Sequence, residues 1–449
     1  MNLSAILLAA GNGTRMRSDT PKVLHKIAGF SMLEHVLSIV ASIPHNIEEI
    51  KLNEIVIVTS EQLESHKDLK NIIANYDHLV RTVEQKYKFG TGHAVYTGLS
   101  TLKKSKSEMV LVMYCDVPLI TIESVMKLIK EMDHEYDVVG SAFEHNGCKP
   151  YGRFELDNRG DVKRVVEACE VDELNPMMTN LCNAGMLLAE RKFLTKFLDE
   201  KCKGINSKSF DREIYLTDIF EKGRSGYIKI EEEEAVGVNN RTELATAEQI
   251  FQQRLRARMM KKGVTLIAPQ TVFFAADTVI NHDTIIHPYV NFGPGVEIDR
   301  DCEIKSFCNI EGATIGKETV IGPFARIRPN SQIENNCKIG NFVEVKNAYF
   351  GPGVKSSHLA YLGDVHIGPN SNIGAGVIVC NYDGQNKHHT TIGVEVQVGA
   401  NASIISPRYI GDSSKIGAGS VITEDVMDGH TAIARAPQIA KKRKNEMPS

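Results

Sequence analysis

The sequence predicts two folded units of different class, an α/β unit with a mostly parallel sheet and a β-solenoid, joined by one long helix. Short apolar runs alternate with longer mixed segments in the first half, which is the pattern of buried strands separated by helices. Aliphatic residues recur every six positions in the second half, which is the period of a solenoid built from short strands and turns. The predicted boundaries are 1–238, 239–262 and 263–449.

In the first unit, the most apolar runs are interpreted as buried strands and the amphipathic segments as helices. The predicted strands are Ser4–Ala10, Glu54–Thr59, Met109–Tyr114 and Val138–Phe143, and the helices include Met32–Ala41 and Ile122–Met132. Between Asn240 and Lys262, apolar residues at three- and four-residue spacing without glycine or proline predict the connecting helix.

In the second unit, the residue four places after each aliphatic is small and points into the same narrow core. Cys302, Cys308 and Cys337 occupy this position, so we interpret them as packing residues rather than redox groups. At 18 residues per three-sided coil, Arg328 and Lys346 stack one coil apart. Two adjacent cations favour an anionic ligand such as a sugar phosphate.

Composition excludes several classes of protein. The 449 residues carry 52 basic and 56 acidic side chains, a net charge of −4, which gives no reason to expect nucleic acid as a partner. Nine cysteines without a C-x-x-C pair disfavour a disulfide framework and a zinc site, and favour a reducing cytoplasm. There is no basic leader and no run of roughly 18 apolar residues, so we predict neither a signal peptide nor membrane insertion.

A glycine-rich loop follows the first predicted strand. It is written L-A-A-G-N-G-T-R from Leu8 to Arg15, with Pro21-Lys22 behind it. Gly11 and Gly13 allow backbone amides to approach phosphate oxygens, and Arg15 and Lys22 supply positive charge for a triphosphate. The motif differs from the dinucleotide fingerprint and from the P-loop, and it resembles the loop of nucleotide-sugar pyrophosphorylases.

That resemblance implies a Rossmann-like nucleotidyltransferase domain and a set of contacts to UTP and the UDP-sugar. The implied residues are Leu8, Ala10, Gly11, Gly13, Arg15, Lys22, Gln85, Gly90, Thr91, Gly152, Glu167, Asn183 and Asn239. Asp116 and Asn239 are the predicted Mg²⁺ ligands, because both offer hard oxygen donors and leave room for phosphate and water. The family usually has glycine where this chain has Cys115.

Polar residues concentrate where the solenoid repeat lapses, in the segments 322–329, 341–346, 357–364, 372–376 and 380–387. With the loop of the first unit, these segments resemble the bacterial bifunctional N-acetylglucosamine-1-phosphate uridylyltransferases/glucosamine-1-phosphate N-acetyltransferases over nearly the whole chain. The resemblance implies a left-handed parallel β-helix of hexapeptide repeats that transfers acetyl from acetyl-CoA to glucosamine 1-phosphate. The first unit would then uridylylate the product from UTP, which makes a cell-wall precursor.

The resemblance also implies roles for residues of the second unit. The expected amino-sugar phosphate ligands are Arg328, Lys346, Tyr361, Asn372 and Lys387, and the expected acetyl-CoA contacts are Ala375, Asn381, Tyr382, Ala400, Ala418 and Arg435. At Ala400 the family often has serine. His358 is the expected general base, because imidazole titrates near neutral pH, and Glu344 is expected to orient it. A cysteine relay through Cys380 is the competing mechanism.

The resemblance further implies a homotrimer with the acetylation site at a subunit boundary. The terminal run KKRKNEMPS is expected to be a solvated tail or to screen the phosphates of coenzyme A. One alternative is a single-activity sugar-1-phosphate nucleotidylyltransferase whose solenoid only trimerises or regulates it. Another is a non-enzymatic assembly subunit, for which the retention of Lys22 and Asp116 has no explanation.

Overall fold

The chain divides into two compact units, Met1–Phe251 and a second unit from Gln252 onward. The computed structural model describes residues 1–76, 78–102, 106–132, 135–145, 151–167, 179–202 and 213–441, so the predicted tail lies outside the described residues except for Lys441. The division falls inside the helix that the sequence assigns to the linker. Within the described ranges, no helix is both long and apolar enough to cross a membrane.

The first unit is built on a nine-stranded sheet with the order β11-β7-β10-β6-β1-β4-β5, to which the hairpin β8–β9 is attached. Its strands are β1 Asn2–Leu8, β2 Lys26–Ile27, β3 Phe30–Ser31, β4 Lys51–Thr59, β5 Val80–Glu84, β6 Met109–Tyr114, β7 Val138–Glu144, β8 Arg153–Leu156, β9 Val162–Val166, β10 Leu181–Glu190 and β11 Ser225–Lys229, with β2 and β3 forming a separate pair. The path is parallel except at β10, which runs antiparallel to β6 and β7.

Helices cover both faces of this sheet. They are α1 Met32–Asn46, α2 Glu61–Glu64, α3 Lys67–Ala74, α4 Thr91–Thr101, α5 Ile122–Glu131 and α6 Arg191–Cys202, and a further helix, α7 Arg241–Lys261, continues into the second unit. One apolar cluster packs α1 and α5 against one face, and another packs α4 and α6 against the other. Because alternate residues of each central strand enter opposite clusters, the strands are continuously apolar. The predicted α/β class is confirmed.

The second unit is a parallel β-helix whose short strands form three faces. Face 1 contains Thr265–Leu266, Ile285–Ile286, Glu303–Ile304, Val320–Ile321, Lys338–Asn341, Lys355–His358, Asn372–Ile373, Gln397–Val398, Lys415–Ile416 and Thr431–Ala432. Face 2 contains Asn291–Phe292, Asn309–Ile310, Arg326–Ile327, the starts of Glu344–Phe350 and Tyr361–Ile367, then Ile378–Cys380, Ser403–Ile405 and Val421–Ile422. Face 3 contains Val279–Ile280, Val296–Ile298, Ala313–Ile315, Ser331–Ile333, the ends of the same two long strands, Thr390–Ile392 and Tyr409–Ile410.

Successive coils are offset by 17 or 18 residues in most of the unit, as between Val320 and Lys338 or between Lys338 and Lys355. The offset grows from Asn372 to Gln397, because the segment after Cys380 leaves the coil at one corner and returns at Thr390. The predicted left-handed parallel β-helix of hexapeptide repeats is confirmed.

The interior of the β-helix is a stack of aliphatic side chains with the three predicted cysteines between them. Cys302, Cys308 and Cys337 are each 2% exposed. Burial raises the pKa of each thiol to about 11, so the reactive thiolate is scarce at neutral pH. Their interpretation as packing residues is confirmed.

Replacing Ile327 by alanine is expected to destabilise the second unit. Ile327 is fully buried and stacks between Ile310 and Val345 of the adjacent coils. Truncating such a side chain costs about 2–5 kcal/mol of unfolding free energy. The matched control is Arg326→Ala on the same strand, where the side chain is exposed and the expected change is within about 0.5 kcal/mol. Calorimetric unfolding checks both, and equal effects would contradict the assigned core.

Candidate active sites

The glycine-rich loop of the first unit follows β1, and its glycines lie against the side chain of Lys22. Gly13 has φ +60°, and a Cβ there would lie 2.8 Å from Cβ of Lys22. Glycine is therefore required both for the backbone conformation and for the close approach. Gly11 lies over the end of the Lys22 side chain, since a Cβ there would be 3.8 Å from its Nζ.

The Lys22 ammonium joins three separate segments. Its Nζ donates to Oδ2 of Asp116 at 2.5 Å and to Oδ1 of Asn239 at 3.1 Å. Asp116 follows β6, and Asn239 precedes α7. The backbone N–H of Asn239 donates to Oε2 of Glu243, in the first turn of α7, at 2.6 Å. The sequence predicted Asp116 and Asn239 as one pair, and the structure brings their oxygens to one cation.

This pair of oxygens is suited to a divalent metal. A carboxylate and an amide oxygen are hard donors that already converge on one positive charge. The part of the chain that the structure describes has no cluster of three or more His, Cys, Asp or Glu able to hold a metal. A metal here would therefore take few protein ligands and fill its remaining positions with water and substrate oxygens.

A cavity of about 260 Å³ opens beside Lys22. Eight predicted site residues line it, namely Leu8, Ala10, Gly11, Lys22, Gln85, Gly90, Thr91 and Asp116. The sequence assigned no role to Lys88, Tyr114 or Glu213, which also line it. The alternation of a strand could have indicated Tyr114, because Tyr114 and Asp116 share one side, whereas no local pattern marks Lys88 or Glu213.

Gln85 is held inside the loop that precedes α4. Its Nε2 donates to the Gly90 carbonyl at 3.2 Å and lies 3.2 Å from Nδ1 of His93. Burial lowers the pKa of the His93 imidazole, which favours the neutral ring. Both contacts use the nitrogen of the Gln85 amide, so its Oε1 is the atom left to accept a hydrogen bond from a ligand.

Three further predicted residues lie outside the 260 Å³ cavity, Gly152 just before β8, Glu167 just after β9 and Asn183 on β10. The Asn183 N–H donates to the Gly152 carbonyl at 2.8 Å, and Thr217 donates to Oε1 of Glu167 at 2.5 Å. The structure does not bring Arg15 into the cavity either, since its side chain is exposed.

Cys115 points away from the cavity. It is fully buried in the apolar cluster that contains α1 and α5, and burial raises the pKa of its thiol. Its backbone N–H donates to the Leu8 carbonyl at 3.1 Å. The cysteine therefore replaces the family's glycine without placing a side chain among the cavity-lining residues.

His358 ends a face 1 strand of the second unit, at the corner towards face 2. Its Nδ1 lies 2.7 Å from Oδ1 of Asn341, the residue beside it on the preceding coil. The amide oxygen only accepts, so this contact places the ring proton on Nδ1 and leaves Nε2 as the base. Glu344, which the sequence analysis expected to orient His358, accepts from Arg328 at 2.8 Å, whereas the contact to the His358 ring comes from Asn341.

Small residues continue the His358 position along the next coils. Ala375, Ala400 and Ala418 occupy the same corner, as backbone hydrogen bonds from Gly376 to His358, Asn401 to Ala375 and Gly419 to Ala400 show. Arg435 donates to the Ala418 carbonyl. The predicted acetyl-CoA residues of this corner therefore form one line that leads to His358.

The predicted phosphate ligands lie mainly at the other edge of face 2. Arg328 and Lys346 occupy equivalent positions on two successive coils. The Lys346 ammonium lies beside that of Lys387 and lowers the pKa of Lys387. Nδ2 of Asn381 lies 3.4 Å from the Tyr361 hydroxyl. Asn372 is not part of this group, because it pairs with Lys355 on face 1.

Cys380, which ends a face 2 strand, and Tyr382, which follows it, complete the description. Tyr382 is 59% exposed, and its hydroxyl donates to the Gly384 carbonyl at 2.6 Å. Burial raises the pKa of the Cys380 thiol. A raised pKa disfavours the thiolate that a cysteine relay needs.

The family model of MobA-like NTP transferase domains matches residues 5–173, and that of bacterial transferase hexapeptide repeats matches residues 312–347. A solved nucleoside-diphosphate-sugar pyrophosphorylase from Vibrio cholerae RC9 aligns with 54% of this chain and 98% of its own at 16% identity, with a TM-score of 0.42.

Curated relatives match the chain from end to end. The bifunctional protein GlmU of Wolbachia pipientis wMel is 42% identical over 98% of both chains. That of Zymomonas mobilis is 40% identical over 97% of this chain and 95% of its own, and that of Anaplasma marginale strain Florida is 38% identical over 98% of both. Such identity across both units disfavours the single-activity and non-enzymatic alternatives. The chain belongs to the GlmU family of bifunctional enzymes.

Proposed function

We propose that the second unit acetylates glucosamine 1-phosphate with acetyl-CoA and that the first unit joins the product to UTP. The chain is a bifunctional enzyme of acetyl and uridylyl transfer, so the proposal concerns which residues do what. The observation that carries it is the convergence of Lys22, Asp116 and Asn239 at the cavity that contains Gln85. We assign uridylyl transfer to 1–238 and acetyl transfer to 263–449.

Uridylyl transfer forms a bond from a sugar-phosphate oxygen to the α-phosphorus of UTP and breaks the bond to the leaving pyrophosphate. This reaction needs positioning and charge neutralisation more than covalent catalysis. Lys22 and Arg15 supply positive charge to the phosphates, and Gly11 and Gly13 let the backbone approach them. A divalent metal, which we propose is Mg²⁺, would be held by Asp116 and Asn239 and would neutralise phosphate charge.

Uracil recognition is assigned to the Gln85 loop. The Gln85 Oε1 that its internal contacts leave over is an acceptor for the imide N–H of uracil. Gly90, Thr91, Leu8 and Ala10 line the same cavity and are assigned to the nucleotide. Gly152 and Glu167, at the ends of the hairpin β8–β9, and Asn183, on β10, are assigned to the sugar.

Acetyl transfer is assigned to the corner that carries His358. Nε2 of His358 removes a proton from the amine of glucosamine 1-phosphate as the amine nitrogen attacks the thioester carbonyl. The carbon–sulfur bond then breaks, and the proton held on His358 passes to the departing sulfur, which releases the thiol of coenzyme A. The acceptor glucosamine 1-phosphate is bound by Arg328, Lys346, Tyr361, Asn372 and Lys387. Acetyl-CoA is bound by Asn381, by Tyr382 and by the line of small residues that ends at Arg435.

Another copy of the chain is proposed to complete the acetylation site, in a homotrimer. Asn372 lies on a different face from Arg328, Lys346 and Tyr361, so a neighbouring copy is needed to bring such residues together. A stack of exposed aromatic residues supports contact between copies. Tyr289, Phe307, Phe324 and Phe342 follow one another at 4.8–5.1 Å between ring centroids, and each remains 45–58% exposed.

We place this enzyme in the cytoplasm, where its substrates are small molecules rather than nucleic acid or membrane. All seven cysteines within the described residues are free thiols, which suits a reducing compartment.

The test is to assay the two half-reactions separately on the full chain. With acetyl-CoA and glucosamine 1-phosphate, free coenzyme A should be released; with UTP, N-acetylglucosamine 1-phosphate and Mg²⁺, pyrophosphate should be released. Panels of nucleotides and sugar phosphates establish selectivity, and leaving out Mg²⁺ should stop only the second reaction. Failure of both reactions in a folded sample, or uridylyl transfer that does not respond to metal removal, would contradict the assignment.

A further inference from the structure

Asp364 is a buried acid at the corner between face 2 and face 3. It follows Tyr361 on the long strand Tyr361–Ile367 and is 7% exposed. Its φ of +50° lies in the left-handed region, which aspartate and asparagine tolerate better than most residues. A buried carboxylate is costly unless it is paired and hydrogen-bonded, so its partners define its role.

Two asparagine side chains donate to this carboxylate. Nδ2 of Asn347 lies 2.5 Å from Oδ1 of Asp364, and Nδ2 of Asn381 lies 2.5 Å from Oδ2. The same Asn381 nitrogen lies 3.4 Å from the Tyr361 hydroxyl. Gly363 permits this approach, since a Cβ there would be 2.5 Å from the Tyr361 hydroxyl oxygen and 2.9 Å from Nδ2 of Asn381. Asp364 therefore connects residues assigned to both substrates.

Asp364 also interacts electrostatically with Lys346 and Lys387, two residues assigned to the acceptor phosphate. The Lys346 ammonium beside Lys387 lowers the pKa of Lys387, and the Asp364 carboxylate raises it. Burial raises the pKa of Asp364, but the two asparagines and the two lysines together bring it below its ordinary value. Tyr361 is the remaining titratable group that acts on Lys387.

We propose that Asp364 is a positioning residue of the acetyltransferase site: it holds Asn381 in place for acetyl-CoA and supplies the negative charge that keeps Lys346 and Lys387 together for the acceptor phosphate. This inference rests on the proposed acetyl transfer. The two carboxylate oxygens of Asp364 each accept a hydrogen bond from one asparagine. An asparagine at position 364 would have only one oxygen, and its NH₂ group would face the NH₂ group of Asn347 or Asn381, where no hydrogen bond can form.

The experiment compares Asp364→Asn with the wild-type full chain. Losing hydrogen bonds to a charged group is expected to raise KM for glucosamine 1-phosphate and for acetyl-CoA by about 10- to 100-fold, with uridylyl transfer unchanged. Without the carboxylate the Lys387 ammonium loses its proton at lower pH, so the alkaline limb of kcat/KM for glucosamine 1-phosphate should move to lower pH. Wild-type KM values and an unmoved limb would overturn the proposal.

Matched variants separate this role from a structural one. Asp301→Asn makes the same change at a second residue of this unit with left-handed backbone, one whose side chain is exposed. It should leave both KM values and the alkaline limb unchanged. Asp364→Glu keeps the charge but is too long to hold both asparagines in place, so KM for acetyl-CoA should rise while the limb stays. If Asp364→Asn does not fold, Asp364→Glu decides, and a wild-type KM for acetyl-CoA would overturn the proposal. Absence of acetyl transfer in the wild type would instead contradict the proposed function.

Discussion

Replacing His358 by alanine is expected to lower kcat for acetyl transfer by about 10²–10⁴-fold, the usual contribution of a general base, and to leave uridylyl transfer unchanged. The Asn341 contact holds the proton on Nδ1, so Nε2 is the nitrogen that accepts a proton from the substrate amine. Alanine removes that acceptor without disturbing the buried aliphatic stack, because His358 is exposed. Coenzyme A release and pyrophosphate release, measured on the same preparation, check the two activities.

His389→Ala is the matched control for this prediction. His389 is an exposed histidine of the same unit to which no role is assigned, and its loss should leave both activities at the wild-type level. Asn341→Leu extends the test, because it removes the acceptor that fixes the ring and should lower kcat for acetyl transfer more than it raises either KM. Near-wild-type acetyl transfer by His358→Ala would show that another group removes the proton.

The opposite selectivity is expected for Asp116→Ala, which should lower uridylyl transfer at least about 100-fold while acetyl transfer persists. Metal affinity falls by about 10–100-fold even when a residue behind the ligands is removed, and Asp116 is proposed as a ligand itself. The substitution also takes away the carboxylate that holds Lys22 at 2.5 Å, so both the proposed metal site and the position of the phosphate-binding cation are affected. Pyrophosphate release at saturating UTP measures the loss.

Metal titration distinguishes a ligand from a structural residue. Asp116→Asn keeps the size of the side chain and one oxygen donor, so a higher Mg²⁺ concentration should restore part of its activity by mass action. Asp199→Ala, at an exposed position of α6, is the control and should require the wild-type Mg²⁺ concentration. Loss of both activities in Asp116→Ala would argue that the two sites are not independent.

The elements of both units could be predicted where their signal is local. Met109–Tyr114 has the predicted bounds, and the hexad of aliphatic residues specifies which side chains enter the β-helix. Predicted ends differ where apolar patterning does not mark them. The helix predicted to stop at Ala41 continues to Asn46 through Pro44, and Ile43 of this added turn is fully buried in the apolar cluster.

The partners of the candidate site residues were harder to predict, because they come from different coils or strands. Asn341 lies 17 residues before His358 and beside it on the preceding coil, so the coil period could have indicated it in place of Glu344. The same period places Asn372 on face 1 after Lys355. The contacts of Asp364 with Asn381 depend on a segment that leaves the coil, and no repeat in the sequence specifies where such a segment folds back.

The regular register of the β-helix also limits how genes for such chains can change in length. An insertion of one residue within a strand would turn the following side chains of that strand to its other side, whereas a duplicated coil would simply lengthen the stack. The segment between Cys380 and Thr390 shows the other permitted route, since it extends outward from a corner while the strands on either side keep their pairing. Evolution of this half of the molecule is therefore expected to proceed by whole coils and by corner insertions.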